Sequence, residues 1–109
     1  MKKGDCYIIV SNGGSSFSKD SVEVKSVSGY TFVDNKSGLS FGCTKSGLCW
    51  SVTELSTGML VSNNGEVKAK KDVLGIIDKK RDAIVRCVKS KSKDWAKKLI
   101  KDKENEVCN

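Results

Sequence analysis

The apolar residues of this chain change period near residue 65, so the chain must build strands first and helices second. Before that point apolar and polar residues alternate in short runs. Leu48, Trp50 and Val52 alternate with Cys49, Ser51 and Thr53, the pattern of a half-buried strand. Similar runs cover Cys6–Val10, Val22–Val27, Tyr30–Val33, Leu39–Cys43 and Met59–Ser62. The second of these loses its alternation near Ser26, where a bulge is expected. Turn residues separate the runs: a loop from Ser11 to Ser18 anchored by Phe17, then DNKSG, TKSG, Ser56-Thr57-Gly58 and Asn63-Asn64-Gly65. Strands this short at near-regular spacing predict a small antiparallel β-barrel or a curled β-meander over residues 1–65.

From Lys70 to Val88 the spacing becomes helical. Val73, Leu74, Ile77, Ile84, Cys87 and Val88 share one face, with Ile76 and Ala83 at its edge, opposite Lys71, Asp78, Lys79, Asp82, Arg86 and Lys89. Lys80 and Arg81 break the pattern by pointing towards the apolar arc. They either snorkel from the edge of the core or form a patch for a partner. KSKSKD at 89–94 is a polar break, with Ser92 as the expected N-cap. A second helix, from about Lys93 towards Glu106, aligns Trp95, Ala96, Leu99 and Ile100, with Lys97, Lys98 and Lys101 on the other side. Neither helix is long enough to be stable without docking its apolar face. The expected class is therefore α+β: a sheet module at 1–65 and a basic helical C-terminal arm at 66–109 packed on it as one unit.

Charge follows the same boundary. Residues 1–65 carry six lysines against five carboxylates, and residues 66–109 carry fourteen Lys or Arg against eight Asp or Glu. The net charge is thus +1 before the break and +6 after it, out of +7. Such a distribution attracts polyanions or acidic protein surfaces. The candidate contact residues are Lys79, Lys80, Arg81, Arg86, Lys89, Lys93, Lys97, Lys98 and Lys101. Tyr7, Tyr30, Phe32, Phe41 and Trp50 are expected in the core, so contact with the phosphate backbone is favoured over base readout.

Catalysis has little to work with. The chain has no histidine to serve as a base for a Ser or Cys nucleophile, and its carboxylates are scattered singly. SNGGSS lacks the GxxxxGK[ST] spacing of a phosphate loop. Five cysteines, an odd number without an export signal, are expected as reduced thiols. Cys43 and Cys49 are expected to face each other across a hairpin, with no second ligand pair to make a zinc site. No metal, cofactor or enzyme activity is expected. No stretch approaches the ~20 apolar residues of a membrane span, which places the chain in the cytoplasm.

Gly4-Asp5-Cys6-Tyr7-Ile8-Ile9-Val10 resembles the first strand of small SH3-like barrels, where a Gly-Asp pair turns into an apolar strand before a polar loop. Val24-Lys25-Ser26-Val27, Tyr30-Thr31-Phe32-Val33 and Leu39-Ser40-Phe41 continue the likeness, which covers roughly residues 4–48 and is shared by barrels of phages and mobile elements. Trp50 to Val61 with the lysine-rich helix behind it resembles the ending of small phage accessory proteins, among them anti-CRISPR and other anti-defence proteins. The resemblance implies a phage-encoded inhibitor, in the host bacterium's cytoplasm, of a nucleic-acid-targeting defence enzyme. It would bind a CRISPR-type nucleoprotein effector or its nucleic acid. A DNA mimic should be acidic, and this chain is basic, so guide or target strands or an acidic effector patch are the expected contacts. A plain RNA- or DNA-binding regulatory module and a homo-oligomeric phage assembly protein stay open as alternatives.

Overall fold

The computed structural model describes residues 1–11, 22–63 and 65–108; Phe17 and most of the expected glycine-rich loop lie outside them. Five antiparallel strands follow in sequence order: β1 (Lys2–Ser11), β2 (Val22–Asp34), β3 (Leu39–Ser46), β4 (Cys49–Glu54) and β5 (Met59–Leu60). Short 3-10 turns at Lys70–Asp72 and Lys91–Lys93 lead into α1 (Val73–Lys89) and α2 (Asp94–Cys108). The α+β class holds. Of the two sheet forms expected, the curled meander is the one adopted, because no β1–β5 ladder closes the sheet into a barrel.

The runs at Val22–Val27 and Tyr30–Val33 are a single strand, and no bulge interrupts it at Ser26. Its partners run without a slip from Ser11↔Val22 to Lys2↔Thr31. Alternation fails at Val27 because the covered face of the strand changes there: Val22 and Val24 are half-buried on one face, Val27 and Gly29 on the other, with Ser26 and Ser28 exposed. Val27 pairs with Cys6, and the Cys6 thiol packs so tightly over Gly42 of β3 that a Cβ there would sit 2.5 Å from its Sγ. Strand β3 is not a ladder neighbour of β1, so this contact measures the curl. The register also corrects the cysteine pairing. Cys43 lies opposite Val52, and Cys49 lies opposite Ser46.

Two apolar clusters fasten the helices. Val73, Ile77, Ile84 and Val88 of α1 pack on Phe41, Cys43 and Val52, with Tyr30, Phe32, Leu39 and Trp50 partly buried around them. Ala96 and Ile100 of α2 pack on Ile9, with Tyr7, Val22, Val24 and Met59 alongside and Trp95 and Leu99 at the edge. The apolar arc of α1 is narrower than its wheel suggested, since Leu74 and Cys87 are exposed. The polar break is capped by Ser90 rather than Ser92: the Ser92 N–H donates to Ser90 Oγ at 3.3 Å.

The turn between β4 and β5 organises the seam of the curl. Glu54 is buried, and its carboxylate accepts from Ser56 N–H and Oγ and from Thr57 N–H and Oγ1, at 2.8 to 3.0 Å. Gly58 then turns the chain with φ +67, and its carbonyl accepts from the Ile9 N–H of β1 at 2.9 Å. Gly58 is required there twice over. A left-handed φ disfavours any side chain, and a Cβ would meet Ile100 Cδ1 at 2.6 Å and Ile9 Cγ1 at 3.0 Å.

Gly38 offers the control, with φ +75 and nothing within 4 Å of a Cβ. Gly38→Ala should therefore cost only the backbone term, about 1 kcal/mol. Gly58→Ala should cost about 1–3 kcal/mol more through overpacking. Urea unfolding of the two variants checks this, and equal losses would mean that α2 does not seat on the turn.

Candidate functional site

The nine basic residues singled out in the sequence occupy three different environments. Lys80 and Arg81 straddle the buried stripe of α1 and are engaged within the chain. Lys80 Nζ donates to Glu66 Oε1 at 2.5 Å and to the Val61 carbonyl at 3.4 Å. Arg81 grips Asp34 at the end of β2 in a fork, Nε to Oδ2 at 2.8 Å and Nη2 to Oδ1 at 3.0 Å. Its Nη2 also donates to Asp78 Oδ1 at 2.5 Å. Both side chains leave the core edge for a specific carboxylate, so their position is explained by the fold.

These pairs show in the acidities. The Arg81 guanidinium holds the Asp34 carboxyl far below the usual carboxylate range, and a bond from Ser37 Oγ at 2.6 Å adds to this. Glu66 is lowered mainly by its bond from Lys80. Burial pushes the Cys6 and Cys43 thiols up, so both stay protonated near neutral pH rather than poised as nucleophiles.

A second group lines a groove. Arg81, Arg86 and Lys89 of α1, with Asp82 and Val85, face Lys36 and Ser37 of the β2–β3 turn across a space of about 620 Å³. Sequence reasoning missed Lys36 because it lies 50 residues before Arg86 in a turn with no basic neighbour. The Arg81–Asp34 fork ties that turn to the helix. Lys36, Arg86 and Lys89 are exposed and form no ion pair among the described residues, while Asp82 is the one carboxylate of the lining. Three available cations against one acid make the groove attractive to a phosphodiester chain. Lys79 lies on the outer side of α1, two turns before Arg86, and is also exposed.

The third group is on α2. Lys98 and Lys101 are exposed on the side away from Ala96 and Ile100, whereas Lys93 and Lys97 are half-buried. Lys97 lies 3.8 Å from Asp94, a surface pair of little energetic weight. Among the described residues no cluster of three or more His, Cys, Asp or Glu side chains is arranged to hold a metal. No described helix is long and apolar enough to cross a membrane.

Comparison with protein-family models, curated proteins and solved structures found no match. The chemistry of the basic surface therefore carries the functional reading.

The Asp34–Arg81 fork should be visible in the acid limb of stability. With a depressed folded-state pKa, Asp34 contributes its full share above its unfolded value, near 3.9. That share is lost as pH falls from about 4 towards the folded value. Asp34→Asn should cost roughly 2 kcal/mol at neutral pH and flatten the decline below pH ~4. Chemical denaturation across that pH range checks both effects; a variant with the parent's acid limb would show that the fork is not formed in solution.

Proposed function

We propose that the protein is a non-enzymatic binding protein that grips the phosphate backbone of nucleic acid through the Lys36–Arg86–Lys89 groove, with Lys79, Lys98 and Lys101 adding long-range attraction. The observation that carries this reading is the groove itself: three exposed cations from two elements converge around a single lining carboxylate, Asp82, and none of the three forms an ion pair among the described residues. Phosphate contact of this kind positions a protein without reading sequence.

The biological role that best suits such a contact is inhibition of a nucleic-acid-targeting defence enzyme of CRISPR type, at the guide or target strand it holds. The resemblance to phage anti-defence proteins supports this, and so does the positive charge, which suits contact with a strand rather than mimicry of one. The curled, unclosed sheet fits the proposal as an open relative of SH3-like barrels. A free RNA- or DNA-binding regulator would use the same groove.

Reversing Lys36, Arg86 and Lys89 to glutamate should weaken duplex binding by roughly thirtyfold or more. It should also flatten the salt dependence by about 0.9 of logarithmic slope for each lost phosphate contact. Reversing Lys2, Lys25 and Lys68, exposed lysines outside the groove, makes the same change in net charge and should have a far smaller effect. Fluorescence anisotropy at several salt concentrations reads all three, and binding indifferent to salt and to the triple reversal would refute the groove. The inhibitor role is read separately, as loss of target cleavage by a reconstituted RNA-guided effector. Unchanged cleavage alongside intact binding would leave a plain nucleic-acid-binding module.

A further inference from the structure

A second basic site lies on the helix-facing side of the sheet, at the end that α1 leaves open. Phe32 and Phe41 stack on each other within the α1 core, with ring centroids 5.6 Å apart and planes at 26°. Tyr30 and Trp50 sit at its margin, half-buried, with centroids 6.0 Å apart and planes at 53°. They line a cleft of about 460 Å³ together with Lys3, Asp5, Ser28 and Lys45. This volume is within the ~300–1,000 Å³ of pockets that hold small organic groups. The strand registers explain the assembly, because Lys3 lies opposite Tyr30 and Lys45 lies opposite Trp50. Each aromatic therefore has a lysine beside it on the same face.

Two features hold the aromatics in place. The backbone N–H of Trp50 donates to the Val67 carbonyl at 2.8 Å, tying the strand that carries the indole to the segment before α1. Lys70 from that segment places its Nζ 3.9 Å from the centroid of the Tyr30 ring. The ammonium covers the Tyr30 face by cation–π attraction and leaves Trp50 as the platform. Lys3 and Lys45 line the cleft with a single carboxylate, Asp5, which accepts from Ser28 Oγ at 3.4 Å, and Lys70 adds its charge from over Tyr30.

We infer that this cleft binds single-stranded nucleic acid, stacking a base on Trp50 and holding the flanking phosphates with Lys3 and Lys45. The inference rests on the nucleic-acid reading above and adds a strand preference to it. Aromatic platforms beside lysines suit unpaired bases, whose faces are free, and the excess of cations selects a polyanion. A duplex keeps its bases stacked inside and engages only the lysines. The α1 groove and this cleft thus divide the work between backbone and base.

The test uses the full chain carrying Trp95→Phe, which leaves Trp50 as its one indole. It is titrated with an oligothymidylate of about eight nucleotides, within the ~4–16 that small β-folds cover, and with a duplex of equal length. The expected result is saturable quenching of Trp50 emission by the single strand and none by the duplex. Lys3→Glu with Lys45→Glu, both on exposed side chains, should weaken single-strand binding by roughly tenfold or more while leaving the melting temperature in place. Trp50→Leu should abolish the strand preference, but the lysine pair decides the matter should that variant fold poorly. Absence of quenching, or parent-like affinity in the lysine variant, overturns the cleft. If duplex binding through the groove persists in that case, the cleft alone is wrong. If neither oligonucleotide binds, both readings fall.

Discussion

Helix α1 lies on the sheet along one narrow apolar stripe, and a cation on each flank fixes how it lies. Arg81 reaches the β2–β3 turn through Asp34, and Lys80 reaches the segment after β5 through Glu66 and the Val61 carbonyl. The stripe alone, Val73 to Val88, would tolerate rotation or sliding over a face built from Phe41, Cys43 and Val52. Charged hydrogen bonds are directional and lose their strength when misaligned, so two on opposite flanks set one orientation. Everything proposed for the surface depends on that setting. It brings Lys36 to Arg86 and Lys89, and it holds the segment that carries Val67 to Trp50 and Lys70 to Tyr30.

The second cluster obeys a different constraint, which is local. Glu54 is a fully buried carboxylate that finds its donors within its own turn, two residues of Ser and Thr supplying backbone and side-chain groups. Its oxygens are therefore satisfied within the turn, and the cost of burying them is offset by hydrogen bonds. The turn so formed presents the Gly58 carbonyl to β1 and its open Cα to Ile100. A sequence-local arrangement thus sets a long-range seam.

Much of this was legible in the residue pattern, and the failures share a physical cause. Alternation located β3 and β4, and helical spacing located α1 to within a turn, because period reports which side of an element is covered. It misled at Ser26–Gly29, where cover passes from one face of β2 to the other and the shift in phase reads as a break between two strands. Glycine is required at position 29 within the strand because a Cβ there would clash with the Cys43 carbonyl oxygen. Lys80 and Arg81 were recognised as misplaced on a helical wheel, but their partners lie 14 and 47 residues away, chosen by topology. Lys36 and the lysines beside Tyr30 and Trp50 were invisible as a set for the same reason. Sequence carries each charge, and only the register of the sheet decides which charges become neighbours.

The strands are connected in the order in which they lie, so each ladder is completed as soon as its second strand is made. The seam is different. Ile9, Val24 and Met59 are packed by Ala96 and Ile100, which follow all of them in the chain. During synthesis the sheet and α1 therefore exist for a time with one apolar side bare and β1 tied to the β4–β5 turn through Ile9 and Gly58 but not yet covered by α2. At roughly 5–20 residues per second that interval lasts a few seconds. An exposed strand edge beside uncovered Ile and Val is a template for pairing with another chain. The vulnerable moment in the life of this protein is thus the one just before α2 emerges, when concentration rather than stability decides between closing the seam and joining a neighbour.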